Sequence, residues 1–241
     1  MLILRNIIAQ TFMLLMILFI TFFCYIASFI VSTRVMNYIL YKIFDILRSV
    51  VFKIIGIKIE YRGLENIPNG AVIFASKHQS AFETSFFFNK FKRNTIYCFK
   101  AEIAKVPLWG RIATVNGGIA IDRGNSASFR KFISEVQETL NIDKSIAIFP
   151  EGTRVSLKSR PKFKKGIAKI YSNTTAPIVP VALNTGDCLP RGSKLIYPAH
   201  VIIEFLQPIA NRDLSEDEFM EFLHKQINDK SDELSNLAKL R

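Results

Sequence analysis

The stretch Ser76-Lys-His-Gln-Ser-Ala-Phe-Glu83 sets an imidazole and a carboxylate five residues apart, directly after an apolar run. On one continuous helix five residues turn about 500°, which leaves the two side chains about 140° apart. They meet only if His78 stands in a loop and Glu83 in the first turn of a helix that begins at Ser80. A carboxylate on one ring nitrogen would then fix the tautomer and leave the other nitrogen to take a proton. The spacing has a second reading. Ser80 and Glu83 also fit a capping box, in which Glu83 would bond the Ser80 N–H.

A second stretch, Phe149-Pro-Glu-Gly-Thr-Arg154, also follows an apolar run, and Pro150 with Gly152 calls for a fixed turn. Such a turn presents Glu151, Thr153 and Arg154 at the mouth of a sheet. Arg154 facing inward suits bidentate phosphate binding, with the lysines that follow raising the local potential. Lys158, Arg160, Lys162, Lys164 and Lys165 read as an outward face that touches anionic lipid heads. A third stretch, Gly117-Gly-Ile-Ala-Ile-Asp-Arg123, ends on Arg123, either a second phosphate ligand or a surface partner of Asp122. A fourth, Ile178-Val-Pro-Val-Ala-Leu183, carries little chemistry of its own and lines an apolar channel or the core.

No phosphate-binding glycine loop, dinucleotide turn or serine nucleophile elbow is present in the sequence. Cys24, Cys98 and Cys188 are odd in number and scattered, and none has zinc-ligand spacing to His78, His200 or His224. One histidine with an acid, two arginines and no nucleophile motif describe base-assisted attack by a substrate hydroxyl on an activated acyl group.

The elements that must position these residues follow from periodicity. Short apolar runs at 71–75, 95–99, 118–121, 145–149, 177–183 and 199–205 read as strands. Helical spacing covers 80–88, 127–140, a segment starting at 167, and one or two helices across 213–240, where Ser215 and Glu218 form a capping box. Alternating strands and helices predict an α/β fold, a central, largely parallel mixed sheet flanked by helices.

Ahead of it, residues 7–33 hold 27 positions without a charge, enough to cross a bilayer or lie deep in one leaflet. A signal-peptide apolar core would run only about 7–15 residues behind a basic start; here Arg5 alone precedes the run. Residues 34–59 then read as an amphipathic helix with Lys42, Asp45 and Arg48 on one stripe, suited to a membrane surface or to packing on the protein's own core. The division is therefore a membrane-anchoring helical hairpin at 1–60 and an α/β domain at 61–241. The Lys and Arg that follow the apolar run place the bulk of the chain on the cytoplasmic side.

With 32 Lys+Arg against 20 Asp+Glu the chain carries +12, which points to nucleic acid or an anionic membrane. The long uncharged run, without the interleaved aromatics of an RNA-reading surface, selects the membrane. An apolar content of 49% excludes intrinsic disorder, and the scattered cysteines exclude a disulfide scaffold.

In this order the four stretches resemble the glycerolipid acyltransferases, specifically the 1-acyl-glycerol-3-phosphate (lysophosphatidate) acyltransferases. His78 and Glu83 match that family's His-x4-acid block, with Glu in place of the more usual Asp. Residues 117–123 resemble Gly-x-x-Phe-Ile-x-Arg, with Ala120 for Phe. Residues 149–154 match Phe-Pro-Glu-Gly-Thr-Arg in full, and 179–182 fit the fourth block.

The resemblance covers about residues 63–210 and implies acyl transfer from acyl-CoA or acyl carrier protein to the 2-hydroxyl of 1-acyl-sn-glycerol-3-phosphate, forming phosphatidate. In it His78 is the base and Glu83 orients it. Arg123, Glu151, Gly152, Thr153 and Arg154 hold the glycerol phosphate, with Lys100 and Lys105 as weaker candidates. Glu151 would accept from an acceptor hydroxyl or fix Arg154. It implies no metal and no cofactor beyond the acyl donor as substrate, no nucleic acid, and action at the cytoplasmic side of the cell membrane. Other acceptors, a lyso-ornithine lipid or glycerol-3-phosphate, and a non-catalytic protein that binds acidic lipid are the alternatives.

Overall fold

In the computed structural model the described residues are 1–27, 29–83, 95–106, 110, 113, 118–121, 126–210 and 213–239. The chain runs α1 (Leu2–Ala27), α2 (Thr33–Ile55), β1 (Lys58–Arg62), β2 (Ile73–Ser76), β3 (Ile96–Lys100), α3 (Ala101–Ala104), β4 (Ile119–Ile121), α4 (Ser126–Asn141), β5 (Ile146–Ile148), α5 (Gly166–Asn173), β6 (Ile178–Leu183), β7 (His200–Phe205) and α6 (Glu216–Lys239). All six apolar runs read as strands are strands. Most of the helix expected at 80–88 lies outside the described residues, as do Gly117, Asp122 and Arg123.

The sheet order is β1-β7-β6-β2-β5-β3-β4. From β6 to β4 every pairing is parallel; β7 runs antiparallel to β6, and β1 parallel to β7. The carboxyl ends of β2, β3, β4, β5 and β6 therefore share one edge, the edge where open α/β sheets build their sites. His78, Lys100, Glu151 and the loop after Leu183 all leave the sheet there.

Both faces are covered, as expected for strands that read as continuous apolar runs. Val72, Phe74 and Ala147 point to the face closed by the last turns of α2, where Leu47, Val51, Phe52 and Ile55 are buried. Ile73, Ala75, Ile146 and Ile148 point to the other face, closed by Phe132 and Val136 of α4, Ile167 and Ile170 of α5, and Phe219, Leu223 and Ile227 of α6. The buried positions of α4 and α6 recur every three or four residues, the stripe of an amphipathic helix. Among the described residues one helix, Glu216–Lys239, stands where one or two were expected across 213–240. It starts at the expected capping box, where Glu218 Oε2 accepts from the Ser215 N–H at 2.9 Å and Ser215 Oγ accepts from the Glu218 N–H at 3.3 Å.

Two boundaries differ from the sequence reading. The amphipathic helix read to residue 59 ends at Ile55, because Gly56 takes φ +93° and donates its N–H to Phe52 O as a left-handed cap. The next segment is strand β1, which its charges Lys58, Glu60 and Arg62 had disguised. Of the two readings left open for α2, packing on the protein's own core is the one its last turns show. Lys42, Asp45 and Arg48 lie along its middle turns, with Arg48 on Asp45 at 2.5 Å, while Leu47, Val51, Phe52 and Ile55 face the core.

Helix α1 lies against α2 and buries little, but Asn6 ties it down: its amide donates to Ile196 O at 2.8 Å and accepts from Ile196 N–H at 2.7 Å. Gln10 adds a bond to Lys194 O at 2.7 Å. Its other side is bare, with Leu14, Leu18, Phe19 and Phe22 all exposed.

Candidate active site

At the carboxyl end of β2 the chain leaves the sheet with its backbone still in register, Lys77 N–H donating to Val181 O at 3.0 Å. His78 follows in a loop, and its Nδ1 is bonded to Glu83 Oε2. The loop-then-turn geometry that the five-residue spacing demands is the one observed. Glu83 is fully buried, and its other oxygen accepts from the Gln79 N–H and the Ser80 N–H, both at 2.7 Å, and from the Thr185 hydroxyl. The imidazole partner and the capping-box acceptor are thus the same carboxylate, one oxygen for each task. An oxygen that takes three donors is an acceptor only, and Nδ1 donates to its neighbour. In the neutral ring the proton therefore sits at Nδ1, and Nε2 carries the lone pair.

Nε2 of His78 has no protein partner among the described residues, and the side chain is 16% exposed. The ring stacks on Phe149 with centroids 4.1 Å apart, and Phe149 in turn lines a cavity of about 650 Å³. Phe129, Phe132 and Ile148 form apolar wall in this cavity, and Arg130, Lys164 and Lys165 bring positive charge to it. It has the size of a small-molecule site.

The second loop laces onto the first. Phe149-Pro-Glu-Gly152 closes a turn through Gly152 N–H to Phe149 O at 2.9 Å, and Gly152 adopts φ +69°, where a Cβ would cost about 1 kcal/mol or more. His78 is gripped on both sides of its backbone. Its N–H donates to Glu151 Oε2 at 2.8 Å, and its carbonyl accepts from Val155 N–H at 2.8 Å.

Glu151 had been set among the ligands of the glycerol phosphate, but its carboxylate is buried and engaged elsewhere. Oε1 pairs with the Lys77 ammonium at 2.6 Å while Oε2 holds His78. Burial pushes its carboxyl above the ordinary glutamate range, and Lys77 opposes that shift. Gly152 is half-buried; Thr153 and Arg154 are exposed at the mouth. Lys100 and Lys105 are exposed too, Lys100 at the same sheet edge at the end of β3 and Lys105 closing α3. Arg123 lies outside the described residues. Arg160 of the basic group is exposed, and it is bonded to Asp229 and Asp232 of α6, each at 2.6 Å.

Burial pushes the thiols of Cys98 and Cys188 up to about 12, so neither is a thiolate nucleophile near neutral pH. Among the described residues no three His, Cys, Asp or Glu side chains gather as a metal site.

Thr185 was not among the sequence candidates. It follows β6 at the same edge, and the adjacent Gly186 donates to Gln79 Oε1 at 3.1 Å; a Cβ there would stand 2.7 Å from Leu157. The signal available was position alone, a polar Asn-Thr-Gly directly after an apolar strand. Thr185→Val removes one of Glu83's four donors while keeping the shape. Its expected effect is a fall in turnover of about 3- to 10-fold with a loss of about 1 kcal/mol in stability, read from steady-state rates and thermal melts.

The chain is 35% identical over 147 residues to a 1-acyl-sn-glycerol-3-phosphate acyltransferase of Pseudomonas aeruginosa, covering 61% of this chain and 57% of that protein. It is 31% identical over 187 residues to one of Limnanthes alba, covering 76% of this chain and 66% of that protein. The matched stretches thus span less than two thirds of these relatives' own length. In fold it is similar to the crystal structure of the 1-acyl-sn-glycerophosphate acyltransferase PlsC from Thermotoga maritima, with a TM-score of 0.74 at 21% identity over 96% of this chain and 97% of the other. The model of the Acyltransferase family matches residues 58–184, over half of the chain and the part that contains both laced loops, and the chain belongs to that family.

Proposed function

We propose that this chain transfers a fatty acyl group from an acyl thioester, acyl-CoA or acyl carrier protein, to the 2-hydroxyl of 1-acyl-sn-glycerol-3-phosphate, forming phosphatidate. The observation that carries the reading is the imidazole fixed by Glu83 through Nδ1, with Nε2 unpartnered among the described residues and Phe149 linking it to a partly apolar cavity with cationic residues. Such a cavity suits a molecule with a phosphate at one end and an acyl chain at the other.

In the reaction, Nε2 takes the proton of the acceptor's 2-hydroxyl as its oxygen forms a bond to the thioester carbonyl carbon. Glu83 steadies the imidazolium. The carbonyl re-forms, the carbon–sulfur bond breaks, and the departing sulfur takes the proton back from Nε2. No acyl-enzyme is formed. Arg154 and Arg123, supported by Thr153, Gly152 and the Lys100 and Lys105 side chains, bind the phosphate; Glu151 serves them only through the loop it builds.

The protein works at a membrane, on the cytoplasmic face of the cell membrane by the positive charge that follows its apolar run. Helix α1 is long and apolar enough to cross a bilayer. Both ends of the hairpin, however, are docked on the α/β layers, at Asn6 and at Ile55. A crossing by α1 would draw Lys42, Asp45 and Arg48 of α2 back through hydrocarbon at about 2.5–3.5 kcal/mol each. The hairpin therefore lies in one leaflet, where lysophosphatidate and its product reside.

The test is a panel of acceptors offered to the full chain in lipid or detergent with each acyl donor. Phosphatidate is the expected product, and Arg154→Ala is expected to raise KM for lysophosphatidate about 10- to 100-fold with a smaller change in kcat. Transfer to a lyso-ornithine lipid or to glycerol-3-phosphate in place of lysophosphatidate would overturn the acceptor assignment. Acidic-lipid binding that survives alongside no transfer to any acceptor would overturn the enzyme.

A further inference from the structure

Lys77 stands beside the catalytic base, yet no step of the reaction uses it. Its side chain turns inward and is 1% exposed. The ammonium donates to Ser159 O at 2.8 Å and to Asn228 Oδ1 at 2.6 Å, and forms an ion pair with Glu151 Oε1 at 2.6 Å. Asn228 lies on α6 and is itself seated, donating to His224 O at 2.7 Å. A buried ammonium needs a counter-charge and hydrogen-bond acceptors, and Lys77 has Glu151 for the first and Ser159 and Asn228 for the second.

The pairing reaches the base through a short chain of contacts. Glu151 gives one oxygen to Lys77 and the other to the His78 N–H at 2.8 Å. The His78 carbonyl is held from the opposite side by Val155 N–H. With backbone fixed at both ends and Nδ1 fixed on Glu83, the direction of Nε2 is set. We propose that Lys77, seated by Asn228 of the C-terminal helix, is a positioning residue that acts through Glu151 to aim His78 at the acceptor hydroxyl. This rests on His78 being the base. It gives α6, far from the reacting atoms, a share in turnover, and it gives the Glu of the Phe-Pro-Glu-Gly turn a task other than substrate binding. Without the ammonium, only the His78 N–H would oppose the burial that pushes Glu151 toward its protonated form, a weaker acceptor for that same N–H.

The experiment compares the full chain with Lys77→Met, Glu151→Gln, the double variant and Asn228→Ala, in kcat, KM for lysophosphatidate and thermal midpoint. Lys77→Met is expected to lose about 10-fold or more in kcat per folded molecule with KM changed less than about twofold, since the phosphate ligands are untouched. The double variant buries no charge and keeps an amide oxygen for the His78 N–H, so its kcat is expected to exceed either single variant about fivefold or more. A stability role alone would lower the thermal midpoint and leave kcat of the folded fraction intact; that result, or a loss confined to KM, or a double variant no better than the singles, overturns the proposal. If Lys77→Met does not fold, Asn228→Ala decides. A kcat reduced about threefold at constant KM supports the proposal, and an unchanged kcat overturns it. Absence of turnover in the unmodified chain overturns the functional reading and the proposal with it, whereas equal turnover by the unmodified chain and Lys77→Met overturns the proposal alone.

Discussion

His78→Ala is expected to lower kcat for phosphatidate formation by about 10²- to 10⁴-fold, the range that a positioned general base contributes. The fold should tolerate it. The ring is partly exposed at the mouth of the sheet, packs on Phe149 and, among the described residues, bonds only Glu83 through its side chain. Phosphate contacts come from other residues, so KM for lysophosphatidate should move little. The loss should therefore appear in kcat and in kcat/KM alike, the signature of a group that acts only in the transition state. Steady-state rates with a thermal melt on the same preparation check this, and a variant that retains more than about a tenth of the parent's kcat would remove His78 from the mechanism.

Glu83→Gln is the second large effect, and its cause lies in the donor count. Oε1 of Glu83 takes three donors, from Gln79, Ser80 and Thr185, and Oε2 takes the imidazole. A glutamine offers one acceptor oxygen and one NH₂ group. Turning the oxygen to the three donors puts NH₂ against Nδ1, which then must accept, and the ring proton moves to Nε2. That tautomer cannot take a proton from the substrate. Turning it the other way drives NH₂ into three donors. The expected result is a kcat lower by about 10²- to 10⁴-fold with the chain still folded.

Glu83→Ala differs, because it leaves two buried backbone N–H groups and a hydroxyl without a partner, at about 1–3 kcal/mol for each one unpaired. It should lose stability as well as rate. Turnover by Glu83→Gln within tenfold of the parent would show that Glu83 orients nothing and is a capping residue only.

What could be read ahead of the structure follows local rules. Strands β2, β5 and β6 are buried on both faces because both faces are covered, and such runs stand out without knowledge of their neighbours. The meeting of His78 and Glu83 was legible because a five-residue spacing allows it only through one loop-and-turn geometry. The two readings of Glu83 looked like rivals only because a sequence does not say which of two oxygens does which task.

The rest was hidden by distance along the chain. Lys77 after a strand reads as solvent-facing until Asn228, 151 residues on, and Glu151 are known to surround it. Thr185 reaches Glu83 across 102 residues, and only the strand order brings the end of β6 to the edge where β2 ends. Glu151 sits in a motif that invites a substrate role, yet burial diverts it to the His78 loop. Strand β1 was missed for the opposite reason: at the sheet edge, paired only with β7, it keeps charges at alternate positions. Arg160 follows the same logic, a basic residue in a basic run that finds two carboxylates on α6.

Direct transfer without an acyl-enzyme is the core of the mechanism, and one experiment addresses it. The purified full chain is incubated with acyl-CoA alone, its intact mass is recorded, and lysophosphatidate is then added while free thiol and phosphatidate are followed together. The mechanism predicts an unmodified mass before the acceptor arrives, then thiol and phosphatidate appearing one for one in the unmodified chain and neither in His78→Ala. A protein mass increased by one acyl group, with a burst of thiol ahead of phosphatidate, would contradict it and place a nucleophile where His78 has been read as a base.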